Sequence, residues 1–162
     1  MKLQEQGNNR RPLIVAGVLL GLGLGGFFDG IVLHQILQWH HMLTSAGYSD
    51  RTVGGLEVNT LADGLFNAST YLMTIIGIAL LWRAGQHRDV PWSLPTFLGS
   101  ILFGAGAFNL VEGVINHHIL GIHHVKSGPN ELAWDLGFLL LGAVLAITGW
   151  LLARTGQQDV AT

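Results

Sequence analysis

Histidines and carboxylates recur in two similar segments of this chain. The first segment, DGIVLHQILQWHH, covers residues 29–41, and the second, EGVINHHILGIHH, covers residues 112–124. Six of the thirteen aligned positions are identical, and seven of the eight histidines of the chain lie in these segments. Imidazole and carboxylate groups are ligands for zinc, copper, iron and manganese. The repeat therefore predicts a metal site to which both copies contribute.

Helical spacing predicts which of these side chains lie together. Residues seven or eleven apart on an α-helix differ in direction by only about 20°. If each segment continues as one helix, His34 shares a face with His41, and Asp29 shares a face with His40. The second copy repeats this pattern. The predicted metal ligands are Asp29, His34, His40, His41, Asp63, Glu112, His117, His118, His123, His124 and Asp135.

The composition is that of a membrane protein. The 162 residues are 49% hydrophobic and only 11% charged, whereas a soluble domain has about 25% charged residues. The absence of cysteine excludes disulfides and thiolate metal sites. A net charge of −2 without a basic cluster argues against a nucleic-acid partner. The lipid bilayer is the expected surrounding.

Four apolar stretches are long enough to cross a membrane, which takes about 20 residues. They predict an all-α fold, a polytopic membrane protein whose four transmembrane helices form two parallel two-helix repeats in a bundle. The two halves should be related by a pseudo-two-fold axis along the membrane normal. Asp63 and Asp135 lie near the starts of the second and fourth helices, at the depth of the histidines. The helices are predicted at about 13–38, 56–82, 95–120 and 131–153.

The predicted divisions of the chain follow these helices. A cytoplasmic N-terminal segment 1–12 precedes the first repeat 13–83, a cytoplasmic loop 84–94 and the second repeat 95–154, and a cytoplasmic tail 155–162 follows. A cleaved signal peptide is the alternative interpretation of the first stretch, but no A-x-A-like cleavage site follows it.

Basic residues predict the orientation in the membrane. Arg51 and Lys126 lie on one side of the four helices, and the other six basic residues lie on the opposite side. The positive-inside rule then places both termini in the cytoplasm. We expect a bacterial cytoplasmic (inner) membrane protein whose metal site lies near the outer face. The six residues on the inner side are Lys2, Arg10, Arg11, Arg83, Arg88 and Arg154.

Small residues on the first helix predict a close helix contact. Gly17, Gly21 and Gly25 are four apart and share one face, the small-xxx-small pattern that brings membrane helices together. The expected occupant of this face is a membrane partner or a second copy of the chain. The alternative is that glycine is simply common in membrane helices.

A hydrogen-bonded network without metal is the main alternative for the ionisable residues. Charged groups at membrane depth are costly and pair with one another, so Asp29 could pair with His34, and Asp63 with a histidine. Asn109 and Asn116 are predicted to make helix–helix hydrogen bonds rather than to bind metal.

Ligand chemistry restricts the metal. Nitrogen and carboxylate ligands without sulfur suit zinc, Cu(II), iron or manganese. Only Met42 and Met73 could supply thioethers in the core, which disfavours a methionine copper relay. Two ligand sets related by symmetry could hold two ions. Haem clamped between histidines is less attractive because carboxylates lie at the same level.

Four phrases in the sequence resemble a known family. GFFDGIVLHQILQWHHML, DGLFNASTYLMTIIG, FNLVEGVINHHILGIHHV and WDLGFLLLGA are similar to an uncharacterised family of bacterial four-helix membrane proteins, a domain of unknown function. The resemblance covers about residues 12–154 and implies a four-span integral membrane protein. It also implies an association with copper-handling or terminal-oxidase assembly proteins, which favours copper over zinc and iron.

Three functions remain open from the sequence. The preferred one is a metal-binding membrane protein for copper or zinc handling, or for metal delivery to a respiratory complex. The alternative is a membrane metalloenzyme with a mono- or dinuclear Cu, Fe or Zn site that oxidises or hydrolyses a lipid or small apolar substrate. A haem-binding or proton-linked protein ranks last. An ion relay would need polar residues in the inner helix halves, 13–24 and 72–81, which are almost purely apolar.

Overall fold

The computed structural model describes residues 9–158 of the chain, which are helical wherever they form regular structure. Four helices are long and apolar enough to cross a membrane, as the sequence predicts. The first and third change from α-helical to π-helical hydrogen bonding near their ends. The elements are α1 (Arg11–Phe27) with its π segment Phe28–Ile36, α2 (Val53–Gln86), α3 (Leu94–Glu112) with its π segment Gly113–Ile119, and α4 (Glu131–Gln158).

The central contact of the fold is between α1 and α3, which run parallel. Gly17 lies against Ser100, and Gly21 lies so close to Ile101 that an added Cβ would collide with its carbonyl oxygen. Gly25 lies against Ala105 of the same helix. This face is therefore covered by α3 of the same chain. The prediction that it contacts a membrane partner or a second copy is wrong, because the repeat itself supplies the facing helix.

The outer helices pack against this pair, each in an antiparallel direction. Gly26 of α1 lies against Thr70 of α2, and Gly106 of α3 lies against Gly142 of α4. Within the described residues α2 contacts α1 and α4 contacts α3, so the order across the bundle is α2, α1, α3, α4. Each half is one two-helix repeat.

Both histidine segments end at the same end of the bundle. The loops that follow them are linked there by a hydrogen bond from the backbone N–H of Ser45 to the carbonyl of Ile122, 2.9 Å long. The described basic residues of the predicted inner side lie at the opposite end, where the side chain of Arg10 donates to the carbonyl of Gly156. We call the end at which the two histidine segments finish the histidine end.

Several predicted boundaries differ from those in the structure. The first helix ends at Ile36 instead of continuing to residue 38, and the chain then reverses direction. The reversal uses left-handed backbone at Gln38 (φ 49°) and at the equivalent Gly121 (φ 57°). At the other end, α4 continues to Gln158, so part of the predicted tail 155–162 is helical. Residues 1–8 and 159–162, including Lys2, lie outside the described residues.

Candidate metal centre

The π segments align each acidic residue with a histidine five positions later. Five residues correspond to an offset of about 140° on an α-helix, whereas the wider turn of a π-helix, with its i→i+5 hydrogen bonds, brings them closer to one side. Asp29 Oδ2 lies 3.2 Å from His34 Nε2, and Glu112 Oε2 lies 3.2 Å from His117 Nε2. Helical π segments are frequent at functional sites, and here the reason is this alignment.

Two pairs of adjacent histidines lie on loops and not on the helices, namely His40-His41 and His123-His124. This corrects the expectation that Asp29 and His40 share a helix face. Because the chain reverses after each π segment, these residues fold back over the helix ends. His40 Nδ1 donates to the carbonyl of Val125 at 2.8 Å, and His123 Nδ1 donates to the carbonyl of Met42 at 3.0 Å. Met42 and Val125 occupy equivalent positions of the repeat. Each half of the chain therefore orients a histidine of the other half.

A buried carboxylate of α2 organises the first half of the cluster. Asp63 is fully buried and accepts hydrogen bonds from His34 Nδ1 at 2.8 Å and from His41 Nδ1 at 2.6 Å. It also accepts from the backbone N–H of Met42 at 2.8 Å and from Gln35 Nε2 at 3.3 Å. Four donors satisfy the acceptor capacity of an ionised carboxylate, so Asp63 fixes both imidazoles and the loop.

Asp135 of α4 performs the same role in the second half. It accepts from His124 Nδ1 at 2.7 Å and from the backbone N–H of Val125 at 3.0 Å. Its Oδ1 also lies 3.3 Å from His117 Nδ1. The two acidic residues predicted at histidine depth are thus confirmed at that depth, but they lie behind the histidines and face their Nδ1 atoms.

Four imidazoles meet at the pseudo-two-fold axis. The rings of His40 and His123 stack with centroids 4.7 Å apart and an interplanar angle of 7°. His34 lies 4.3 Å from His40, and His117 lies 5.0 Å from His123. All four are at most 3% exposed. The structure thus brings together residues that are distant in the sequence, in one buried cluster of imidazole rings.

Two groups of side chains within this cluster have the compactness of a metal site. The first is His34, His40 and His123, and the second is Glu112, His117 and His123. In each group the candidate ligand atoms lie within 4.8 Å of one another. His123 belongs to both, so the groups are adjacent parts of one centre.

The hydrogen bonds determine which nitrogen of His40 is free to bind metal. A carbonyl oxygen only accepts, so Nδ1 of His40 and of His123 must carry a hydrogen, and in a neutral His40 the lone pair is then on Nε2. Burial lowers the pKa of His40 to about 2, and the neighbouring His34 and His123 add to this effect. His40 is therefore a neutral imidazole. Its Nε2 is buried and has no hydrogen-bond partner among residues 9–158.

One contact of His123 holds either a proton or a metal ion. Its Nε2 lies 2.7 Å from Glu112 Oε1, while its Nδ1 hydrogen is directed to a carbonyl. A nitrogen lone pair facing a carboxylate oxygen at this distance repels it unless a proton or a metal ion interacts with both. This contact therefore joins the two sides of the cluster through a proton or a metal ion.

A family model described as "Predicted membrane protein (DUF2243)" matches residues 16–156, a range that includes all four helices and both histidine segments. The chain belongs to this family. This confirms the resemblance to an uncharacterised membrane-protein family. No curated protein and no solved structure matches the chain.

Not every predicted ligand belongs to the inner cluster. His118 is exposed and is in neither compact group. His41 contacts Oδ2 of Asp63, and His124 contacts Oδ2 of Asp135. Both histidines therefore lie behind the central imidazoles. The residues closest to the axis are Asp29, His34, His40, Glu112, His117 and His123.

Three supporting residues of the DUF2243 protein were not predicted from its sequence. Asn59 is fully buried, accepts from the backbone N–H of Leu43 at 2.8 Å and thereby holds the first loop. Phe66 stacks on His34 at 5.7 Å, and Phe138 contacts His117 at 5.4 Å. A signal for the aromatic pair is present in the sequence, since both follow an aspartate of the site by three residues.

Proposed function

We propose that this membrane protein binds transition metal ions at the centre between its two halves. The observation that carries the proposal is the lone pair of His40 Nε2, which is buried, has no hydrogen-bond partner among the described residues and faces other imidazoles. The proposed ligands are His34, His40, His117 and His123, with Asp29 and Glu112 as bridging or additional oxygen ligands.

A purely hydrogen-bonded network explains less of the site. The ion pairs which that alternative expects are present, with His34 between Asp29 and Asp63. A network that existed only to satisfy its own members would also satisfy His40 Nε2, because buried polar atoms nearly always have a partner. A metal ion would take the lone pair of His40 and would replace the proton between His123 and Glu112.

The surroundings of the imidazoles also support metal binding. Histidines that bind metals usually donate their other ring N–H to a carboxylate or a carbonyl, which fixes the tautomer and increases ligand basicity. His34 and His41 donate to Asp63, and His40 donates to Val125. His41 and His124 would then act as positioning residues that hold the two aspartates.

The donor set favours a borderline metal ion. Up to four nitrogen and two carboxylate ligands without sulfur suit copper(II), zinc or iron. We propose copper first, with zinc and iron as alternatives. Haem is disfavoured because the stacked rings of His40 and His123 leave no gap between them for a porphyrin.

Metal handling fits the site better than catalysis. A catalytic metal keeps one coordination position open to water or substrate, whereas a structural or storage site is closed. The four central imidazoles are at most 3% exposed, which supports a closed site. We propose copper or zinc handling, or delivery to a respiratory complex, with the termini in the cytoplasm and the centre near the outer face of the bacterial cytoplasmic membrane.

Alanine variants of His34 and His117 test the proposal and count the ions. If each half holds one ion, titration of the metal-free protein with Cu(II) or Zn(II) should show about half the wild-type stoichiometry in either variant. If one ion is shared, both variants should lose nearly all binding, since removing a ligand costs a large part of the affinity.

The control is His118→Ala, which removes an exposed neighbouring imidazole and should bind as the wild type does. Insertion into detergent micelles with unchanged helix content, measured by circular dichroism, confirms that each variant folds. Full metal binding in both His34→Ala and His117→Ala would show that these histidines are not ligands.

A further inference from the structure

An apolar cleft opens between α1 and α4 beside the metal centre. Its volume is about 730 Å³, within the 300–1,000 Å³ of typical ligand pockets. Since α1 and α4 do not pack against each other in the described residues, α3 forms the floor. The walls include Leu24 and Val32 of the first helix and Leu141 and Leu145 of α4.

The length of the cleft corresponds to one leaflet of a bilayer. It extends along α4 from Trp134 to Leu145, a rise of about 16 Å at 1.5 Å per residue. The hydrocarbon core of a membrane is about 30 Å thick, so one leaflet contributes about 15 Å. A lipid chain that entered from the histidine end would therefore fill the cleft to its inner limit.

A cation lies at the mouth of the cleft. The ammonium group of Lys126 is 4.9 Å from the ring centre of Trp39 and 5.3 Å from that of Trp134, and both rings line the cleft. Lys126 makes no ion pair with a carboxylate among residues 9–158. Its charge is thus held in place by aromatic faces and has no carboxylate counter-ion in the part of the chain that the structure describes.

A buried amide on the floor also indicates an occupant. Asn109 lines the cleft, is only 8% exposed and has no hydrogen-bond partner among the described residues. The predicted helix–helix hydrogen bond of Asn109 is therefore not made, and Asn116 instead donates to Glu112 of its own helix at 3.3 Å. An unsatisfied amide in hydrocarbon is costly, and its position in the wall allows it to hydrogen-bond to an ester or other polar group of a bound molecule.

We propose that this cleft binds one anionic phospholipid. One acyl chain lies between α1 and α4, and the phosphate is paired with Lys126 at the histidine end. Charge complementarity selects this occupant, because an unpaired ammonium at the membrane surface attracts anionic headgroups. Leu33, Val125 and Phe138 pack together in the wall of the cleft, and none of the proposed metal ligands lines it, so lipid retention and metal binding are measured independently.

Filling the cleft with a larger side chain tests where the acyl chain of the lipid is bound. Gly137 lines the cleft, and a side chain added there meets nothing within 4 Å, so Gly137→Phe should place its ring in the space of the acyl chain. The control is Gly64→Phe on α2, where an added side chain also meets nothing within 4 Å and which does not line the cleft.

Native mass spectrometry of detergent-solubilised protein, titrated with phosphatidylglycerol or phosphatidylethanolamine of the same chains, measures retention. We expect wild type and Gly64→Phe to retain one phosphatidylglycerol, and Gly137→Phe to lose it. Equal retention by Gly137→Phe and Gly64→Phe would overturn the site. A neutral apolar molecule that co-purifies with wild type and is absent from Gly137→Phe would overturn the choice of a phospholipid.

Removal of the cation tests the headgroup. Lys126→Gln should lower the preference for phosphatidylglycerol over phosphatidylethanolamine by about fivefold, the contribution of one basic residue near an anionic lipid surface. Arg51→Gln removes an exposed charge at the same end of the bundle and should leave the preference unchanged. An unchanged preference in Lys126→Gln, or an equal loss in both variants, would contradict a specific headgroup site.

Discussion

His123→Ala should nearly abolish metal binding, and it should do so more completely than any other single substitution in the cluster. His123 is the one residue that belongs to both compact ligand groups. It stacks on His40 and contacts Glu112 across the interface of the two halves. Its loss would remove a nitrogen ligand from both groups and leave Glu112 with a weaker counter-charge. Removing a residue that only orients a ligand costs up to about 100-fold in metal affinity. Since His123 is itself a proposed ligand, we expect its loss to lower the affinity by at least about 100-fold.

Competition with a chelator of known affinity measures this loss in detergent solution. His118→Ala serves as the matched control, since it removes an imidazole from the same segment without changing either group. If His123→Ala bound metal as tightly as His118→Ala, the shared position of His123 would have no role in binding. Recovery of the folded helix content in both variants separates a ligand effect from a folding defect.

Asp63→Asn should weaken both the fold and the metal affinity. The carboxylate accepts hydrogen bonds from His34, His41 and the backbone N–H of Met42. In the asparagine variant an NH₂ group replaces one carboxylate oxygen, so a donor would face these donors and the hydrogen bonds on that side would be lost. Leaving buried partners unsatisfied costs about 1–3 kcal/mol each. Loss of the residue that orients a ligating histidine costs about 10–100-fold in metal affinity.

Unfolding in mixed micelles, followed by circular dichroism, gives the change in stability, and the chelator competition gives the change in affinity. Glu57→Gln is the control, because it neutralises an exposed carboxylate on the same helix. We expect the control to match the wild type. Wild-type stability of Asp63→Asn would mean that the hydrogen bonds to Asp63 contribute nothing measurable to the fold.

Much of the architecture could be predicted from the sequence because the repeat and the apolar pattern are local signals. The spacing of apolar residues predicts four spanning helices, and the duplicated segments predict that the halves are parallel. The depth of Asp63 and Asp135 also follows from their positions near the starts of their helices. These predictions require only the rise of a helix per residue.

The arrangement of the proposed ligands could not be predicted from α-helical geometry, because each segment leaves that geometry where the cluster begins. The π segments pair Asp29 with His34 at a spacing of five, which an α-helical projection places far apart. The chain then reverses, so His40 contacts Val125 of the other half instead of sharing a face with Asp29. Tertiary contacts between the two loops decide both features.

One signal of the reversal is present in the sequence. Gly121 aligns with Gln38 in the repeat, and glycine readily adopts the left-handed backbone found at both positions. A glycine between a helical histidine and a histidine pair thus indicated a turn. A signal for the helix contact is present as well. Gly17 aligns with Ser100, another small residue, in the second repeat, and this pair lies at the contact between α1 and α3.

Elemental analysis of the detergent-purified protein, expressed in metal-replete medium, tests the central claim most directly. An absorption spectrum of the same sample distinguishes copper or iron from zinc and would reveal haem by its Soret band. We predict about one or two equivalents of a transition metal per chain, copper first, in accord with the nitrogen and carboxylate donors. A protein that is folded, contains no Cu, Zn, Fe or Mn and takes up none on titration would contradict the account and leave a proton-holding network between the two halves.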